Sequence, residues 1–169
     1  MNSRALPGRV ASFLLLAVAV SSALGQASMA RDLSEFRKGR IGALGIGMAS
    51  SQLEQRLGRV VTPEFAGDGR AGVSFDQQSD LQPLGVLMLL GVRIQAVDIF
   101  FKEQGNALVV DLVSLSIACS QLPRLQSQLS SQGKTFTGVP GSSSSMPSKS
   151  GYAWGVEAKP SCRVWLREA

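Results

Sequence analysis

The stretch Val92–Ile117 reads VRIQAVDIFFKEQGNALVVDLVSLSI, two alternating segments joined by a turn. Alternation with a period of two is the pattern of a strand with one buried face. From Val92 to Lys102, Val97, Ile99 and Phe101 share one face, while Asp98, Phe100 and Lys102 take the other. The alternation slips near Ala96, which predicts a bulge there. Glu103-Gln104-Gly105-Asn106 is the turn, with Gly-Asn supplying residues that accept positive φ. Ala107 to Ile117 is the clearest strand in the chain: Val109, Val113, Leu115 and Ile117 point one way, Ser114 and Ser116 the other.

Further strands flank this hairpin. Ala71 to Asp76 alternates, with Val73 and Phe75 on one side. Val86 to Leu90 is a short apolar strand broken by Gly91. Gly151 to Glu157 and Ser161 to Arg167 form the last pair, turning at Ala158-Lys159-Pro160. In the second of these, Cys162, Val164 and Leu166 share a face, and Arg163, Trp165 and Arg167 take the other. Gln77 to Pro83 reads as a polar loop, and Thr135 to Ser150 as a loop rich in Gly, Ser and Pro.

Two segments carry helical spacing. Ala49, Leu53 and Leu57 make an i, i+4, i+8 stripe; Ser50 or Ser51 caps the start, Ser51 and Glu54 have capping-box spacing, and Gly58 ends the helix. Ser120 to Gln132 carries Leu122, Leu125 and Leu129 on one face, with Pro123 in the first turn and Gly133 at the end. Neither helix is long enough to persist alone in water, so both must bury their leucines against something. Helix, strands, helix, strands, without strict alternation, predicts an α+β fold: two short helices packed on an antiparallel sheet. Ser51-Gln52-Leu53 against Ser120-Gln121-Leu122 hints at two helix-plus-meander units.

Gly42, Gly45 and Gly47 precede the first helix as G-x-x-G-x-G. A dinucleotide loop requires G-x-G-x-x-G after a strand, and a Walker loop requires Gly-Lys-Ser/Thr. Neither is present, so the glycines read as permitting tight backbone approach at the entry to the helix. The run Gly47-Met48-Ala49-Ser50-Ser51-Gln52-Leu53-Glu54-Gln55-Arg56-Leu57-Gly58 resembles the G-M-T-x-x-Q-V-x-x-x-L-G-x-P pattern of small bacterial envelope domains of the SmpA/OmlA type. Ala49 stands where that pattern has threonine, and Val60 where it has proline. These domains share their general fold with the β-lactamase inhibitory protein. The resemblance implies two helix-plus-strands units and an envelope location.

Residues 1–30 read as a secretory signal: Arg4 and Arg9 form the positive region, Val10 to Leu24 the apolar one, and cleavage falls between Gly25 and Arg31. The alternative is an uncleaved anchor, but a span wants about 20 apolar residues. Leu84 to Phe101 is interrupted by Arg93, Gln95 and Asp98 and reads as core strands, so no integral span is expected after signal removal. Residues 31–40 read as a flexible lead-in or one helical turn, and 41–169 as a single domain, consistent in size with one modest core. The chain has 17 basic and 12 acidic residues; loss of Arg4 and Arg9 leaves fifteen against twelve, a net charge of +3. The basic residues are scattered, which argues against a nucleic-acid partner. Cys119 and Cys162, the two cysteines, most simply pair in an exported chain. Such a bridge, closing a loop of about 44 residues, contributes about 4 kcal/mol in the chain-entropy picture. Two reduced, buried thiols are the alternative.

The chain has no histidine, which removes Ser-His-Asp and Cys-His catalysis and His-ligated zinc. Two cysteines alone do not make a structural zinc site, and no cofactor motif occurs. Asp98 and Asp111 lie on the two strands of the opening hairpin, where they read either as a general acid/base pair or as solvent-face residues. Tyr152, Trp154 and Trp165 fall in the final hairpin, with Trp165 between Arg163 and Arg167. Trp and Arg are enriched at binding hot spots, so these five residues are the candidate binding patch, extended by Phe100. The plainer alternative has Trp165 covering the sheet edge or packing under a helix. The expectation is an exported, non-enzymatic module that binds an envelope or extracellular protein. An inhibitor of a secreted enzyme and a small carboxylate-dependent hydrolase are the alternatives.

Overall fold

The Val92–Ile117 hairpin is the spine of the sheet. In the computed structural model, strands β6 (Val92–Gln104) and β7 (Ala107–Ile117) pair antiparallel across Gly105-Asn106. The structure describes residues 31–168 apart from 33, 36–37, 66–69, 131–143, 148–151 and 159–160. The signal assigned to residues 1–30 and the helix stop at Gly133 lie outside the described residues.

Six more strands surround the hairpin or pair with it: β3 (Glu64–Phe65), β4 (Ala71–Phe75), β5 (Met88–Leu89), β8 (Ser144–Pro147), β9 (Tyr152–Glu157) and β10 (Arg163–Glu168). They run in the order β3-β4-β6-β7-β10-β9-β8, every neighbour antiparallel, with β5 folded back on the start of β6. A small separate hairpin joins β1 (Arg40–Ile41) to β2 (Leu44–Gly45). The helices are α1 (Ser50–Leu57), α2 (Gln78–Leu81) and α3 (Leu122–Ser130), the last preceded by a 3-10 turn at Cys119–Gln121. The fold is α+β, with short helices on an antiparallel sheet.

Leu53 of α1 and Leu125 of α3 are both completely buried, in one continuous core with Val97, Ile99, Val113, Leu115, Val164 and Leu166. Both helices therefore cover the same face. The opposite face carries the alternate residues of the strands, and no described helix lies over it.

Two irregularities interrupt the β6–β7 ladder. One falls between Ile94 and Ala96, where the alternation of the sequence slips; the other falls between Phe100 and Phe101. At the second, Phe100 pairs with Leu112 and Phe101 with Val110, so Asp111 is the extra residue. That extra residue reverses the parity of β7 beyond it. Val110, opposite Phe101, joins the core cluster; Val109, which its spacing from Val113 places there, is buried as well, at 6% exposure, but lies outside that cluster.

Several local expectations are corrected. Helix α1 starts at Ser50, with Ala49 in extended conformation at the cap. Gln52 is then the third helical residue, and its side-chain oxygen accepts from Ala49 N–H at 3.3 Å. The Ser51–Glu54 capping box does not form; the Glu54 carboxylate accepts instead from Val61 N–H at 3.0 Å, tying the chain as it leaves the helix. Gly58 ends α1 at φ 67°, as expected, with its N–H on Glu54 O. The polar loop 77–83 contains the single turn of α2, held by buried Leu81, one apolar residue being too few to show a period. Within the Ser-rich 135–150 segment, Ser144–Pro147 is the outermost strand β8, a position that tolerates proline.

The short strand predicted over Val86–Leu90 is only β5. Leu89 pairs with Val92 across Leu90-Gly91, both at positive φ (50° and 73°), a two-residue turn of the primed kind. Leu90 is an unusual residue for that conformation, and it is buried. Its N–H donates to Asp32 Oδ2 at 3.0 Å. Residues 31–32 and 34–35, in the segment read as a lead-in, are helical, and this bond ties them to the domain.

Of the three glycines before α1, Gly42 permits close approach, whereas Gly45 has only ordinary contacts and a Cβ on Gly47 would meet nothing within 4 Å. Gly42 (φ 58°) lies on the backbone of Gly85, where an added Cβ would stand 2.5 Å from Gly85 O. Ala43 N–H donates to Leu84 O at 2.8 Å, and Gly47 N–H to Val110 O at 2.7 Å, so the segment is clasped between two backbones. Cys119 and Cys162 are disulfide-bonded, with Cα atoms 5.2 Å apart. The bridge joins the turn ahead of α3 to the residue preceding β10, and Ile117 N–H donates to Cys162 O at 2.9 Å beside it. A disulfide is compatible with an oxidising, extracytoplasmic location. Among the described residues no helix is long and apolar enough to cross a membrane.

Candidate functional site

The helix-free face of the sheet is built by register. Gly72, Phe100, Leu112 and Arg167 form one row across β4, β6, β7 and β10; Ser74, Asp98, Ser114 and Trp165 form the next. Ser116 and Arg163 begin a third row, which Glu157 of β9 continues. Large side chains thus alternate with small ones. The result is two shallow depressions that meet at Phe100. One, of about 430 Å³, is lined by Thr62, Glu64, Phe65, Gly72, Ser74 and Asp98 among others. The other, of about 360 Å³, is lined by Leu112, Ser114, Glu157, Arg163, Trp165 and Arg167.

The charged groups of this face are mostly paired. Ser74 Oγ donates to Asp98 Oδ1 at 2.7 Å, and Arg163 Nη1 lies 3.7 Å from Asp98 Oδ2. Arg163 Nε donates to Ser161 Oγ at 2.7 Å, which orients the guanidinium. Lys102 Nζ bridges Glu168 and Asp111, the latter at 3.3 Å. Hydrogen bonding to Glu168 and then to Asp111 raises the Lys102 ammonium above its ordinary pKa. Arg167 is different: its guanidinium lies over the Trp165 ring, 5.2 Å from the centroid, a cation–π contact.

Trp165, Arg163 and Arg167 thus share one face, as their alternation predicts. Tyr152 and Trp154 occupy the other series of positions. Trp154 is opposite Leu166 and Tyr152 opposite Glu168, whereas Trp165 is opposite Gly155. The three aromatics of the final hairpin do not fall in one series. Phe100 does extend the patch. Ser114, on the side its alternation predicts, and Leu112 also line it. Leu112 shares the parity of Ser114 and Ser116, so simple alternation along β7 already carries its position; the extra residue Asp111 alters parity only toward the start of the strand.

The two aspartates are not brought together as an acid/base pair. Asp98 is opposite Ser114 and bound by Ser74 and Arg163; Asp111 sits at the bulge and is bound by Lys102. Each faces its own base, and Leu112 and Val113 separate Asp111 from the Ser114 position. Among the described residues no group of three or more His, Cys, Asp or Glu side chains is placed to hold a metal ion.

Set against protein-family models, curated proteins and solved structures, the chain matches none of them.

Proposed function

We propose that this chain is an exported, non-enzymatic protein-binding module of the bacterial envelope, and that it docks an envelope or extracellular protein on the helix-free face around Trp165. One observation carries the reading: Trp165, Phe100 and Leu112 form an apolar platform beside Arg163 and Arg167 on a rigid sheet that no described helix covers. Half-buried Trp beside Arg on a preorganised surface has the composition of a binding hot spot. The middle of the platform has no unpaired backbone, because β7 is bonded to strands on both sides. A partner must therefore be met with side chains and not by strand addition. The Cys119–Cys162 bridge and the apolar N-terminal stretch support the exported reading, and the SmpA/OmlA-like run at residues 47–58 supports the envelope.

The test is capture from envelope extract with the oxidised protein and with Trp165→Ala. The reading requires a captured protein that Trp165→Ala loses while its thermal unfolding stays close to that of the parent. Equal capture by both, or a variant that no longer folds because Trp165 is a packing residue, ends it.

A further inference from the structure

Among the described residues of the docking face, Arg167 is the cation that lacks a carboxylate. Lys102 is held by Glu168 and Asp111, and Arg163 by Asp98. The Arg167 guanidinium makes its contact with the Trp165 ring, and no acid among the described residues reaches it. A guanidinium stacked on an aromatic ring is preorganised in orientation and keeps its N–H edge for a planar acceptor. Beside it lies the depression between Phe100, Leu112, Ser114 and Trp165, with small Ser114 at its floor, 5% exposed. At the far end, past Trp165, Glu157 and Arg163 occupy the third row. The face therefore has a polarity: a cation without a carboxylate among the described residues, an apolar hollow, then a row in which an acid and a base stand opposite each other.

From this we infer that the occupant of the face is a protruding loop of a partner protein in which an Asp or Glu side chain is adjacent to an aromatic or branched aliphatic one. The carboxylate takes Arg167, and the apolar group enters the hollow over Ser114. The inference rests on the docking reading above and adds the chemistry of the partner to it. Three features select this occupant. The complementary charge is a single anion, since among the described cations of the face Lys102 and Arg163 already have carboxylates. The spacing is one row of the sheet, about 7 Å, which suits neighbouring residues of a loop. At the opposite end Glu157 stands opposite Arg163, which Asp98 already neutralises, so that row offers the carboxylate no free cation and the loop lies in one direction.

The probes are the capped dipeptides Ac-Phe-Asp-NH2 and Ac-Phe-Asn-NH2, which differ in the carboxylate alone. Each is titrated into the oxidised full chain and into Arg167→Gln while the Trp165 indole N–H and Arg167 Nε–H resonances are followed. A charge-assisted hydrogen bond predicts that the acidic peptide binds about tenfold tighter than the amide. In Arg167→Gln that preference disappears, because both peptides then bind through the hollow alone. Equal affinity of the two peptides for the wild-type chain overturns the inference while leaving a docking face in place. Failure of both peptides to move Trp165 also overturns it, and the docking reading is then decided by the Trp165→Ala capture alone. If Arg167→Gln does not fold, the peptide pair on the wild-type chain decides.

Discussion

Phe100 lies against Gly72 across the β4–β6 pair, so closely that a Cβ on Gly72 would meet Phe100 Cδ1 at 3.1 Å and Cε1 at 3.3 Å. The ring covers the space that a side chain on β4 would fill, an arrangement known to compensate for a strand glycine. The Phe100 ring therefore sits where it does because Gly72 has no side chain.

Gly72→Ala separates stability from binding. Alanine relieves the entropic penalty of a strand glycine, about 0.5–1 kcal/mol, but pushes the ring aside by a few tenths of an ångström. Phe100 borders the open depressions and has room to yield. Thermal unfolding is expected to change by less than about 1 kcal/mol, while partner capture falls because the platform is displaced.

Gly42→Ala has the opposite profile. The obstacle there is backbone, with Gly85 O at 2.5 Å and Leu84 O at 2.7 Å, and φ is 58°. Nothing nearby can swing away. A loss of about 2 kcal/mol or more is expected in urea unfolding, with the face around Trp165 unchanged in its contacts if the protein is assayed while still folded.

Leu90→Gly sets backbone strain against burial. Glycine removes the strain of a left-handed residue, about 1–2 kcal/mol. It also deletes a buried leucine side chain, a change that costs about 2–5 kcal/mol or more in a core. The lost burial outweighs the relieved strain, so the variant is expected to be less stable by about 1–3 kcal/mol in chemical unfolding.

Replacing both sulfurs, Cys119→Ser with Cys162→Ala, leaves no buried hydroxyl, since Cys119 is the exposed partner and Cys162 the buried one. The bridge spans a sequence separation of 43, and its loss is expected to lower unfolding stability by about 4 kcal/mol at most. The comparison is made by urea unfolding against the oxidised parent; an unchanged midpoint would mean the bridge contributes nothing to stability.

The long elements were legible in the sequence because their buried residues repeat. Val97, Ile99 and Phe101 announce β6, Leu53 and Leu57 announce α1, and the parity of Arg163, Trp165 and Arg167 assigns their common face correctly. What escaped lacks repetition. One extra residue, Asp111, brings Val110 of β7 into the core cluster in place of Val109. The two-residue strand β3 and the serine-rich β8 are edge strands, with too few buried positions to impose a pattern. The separation of Trp154 from Trp165 is set by pairing across β9 and β10, and the face on which each falls follows only once that pairing is known.

The order of the sheet also constrains how the chain can assemble as it emerges N-terminus first during synthesis. Strand β10, last in chain order, is the one that separates β7 from β9. Until residues 163–168 emerge, the β8–β9 ribbon has no strand to join it to the rest of the sheet, and the edge of β7 stands bare from Leu112 to Ser116, although Val110 is already bonded to Gly47 and Met48. Such an edge invites pairing with other chains. Closure of that seam by the last strand is therefore the late step on which the whole sheet waits.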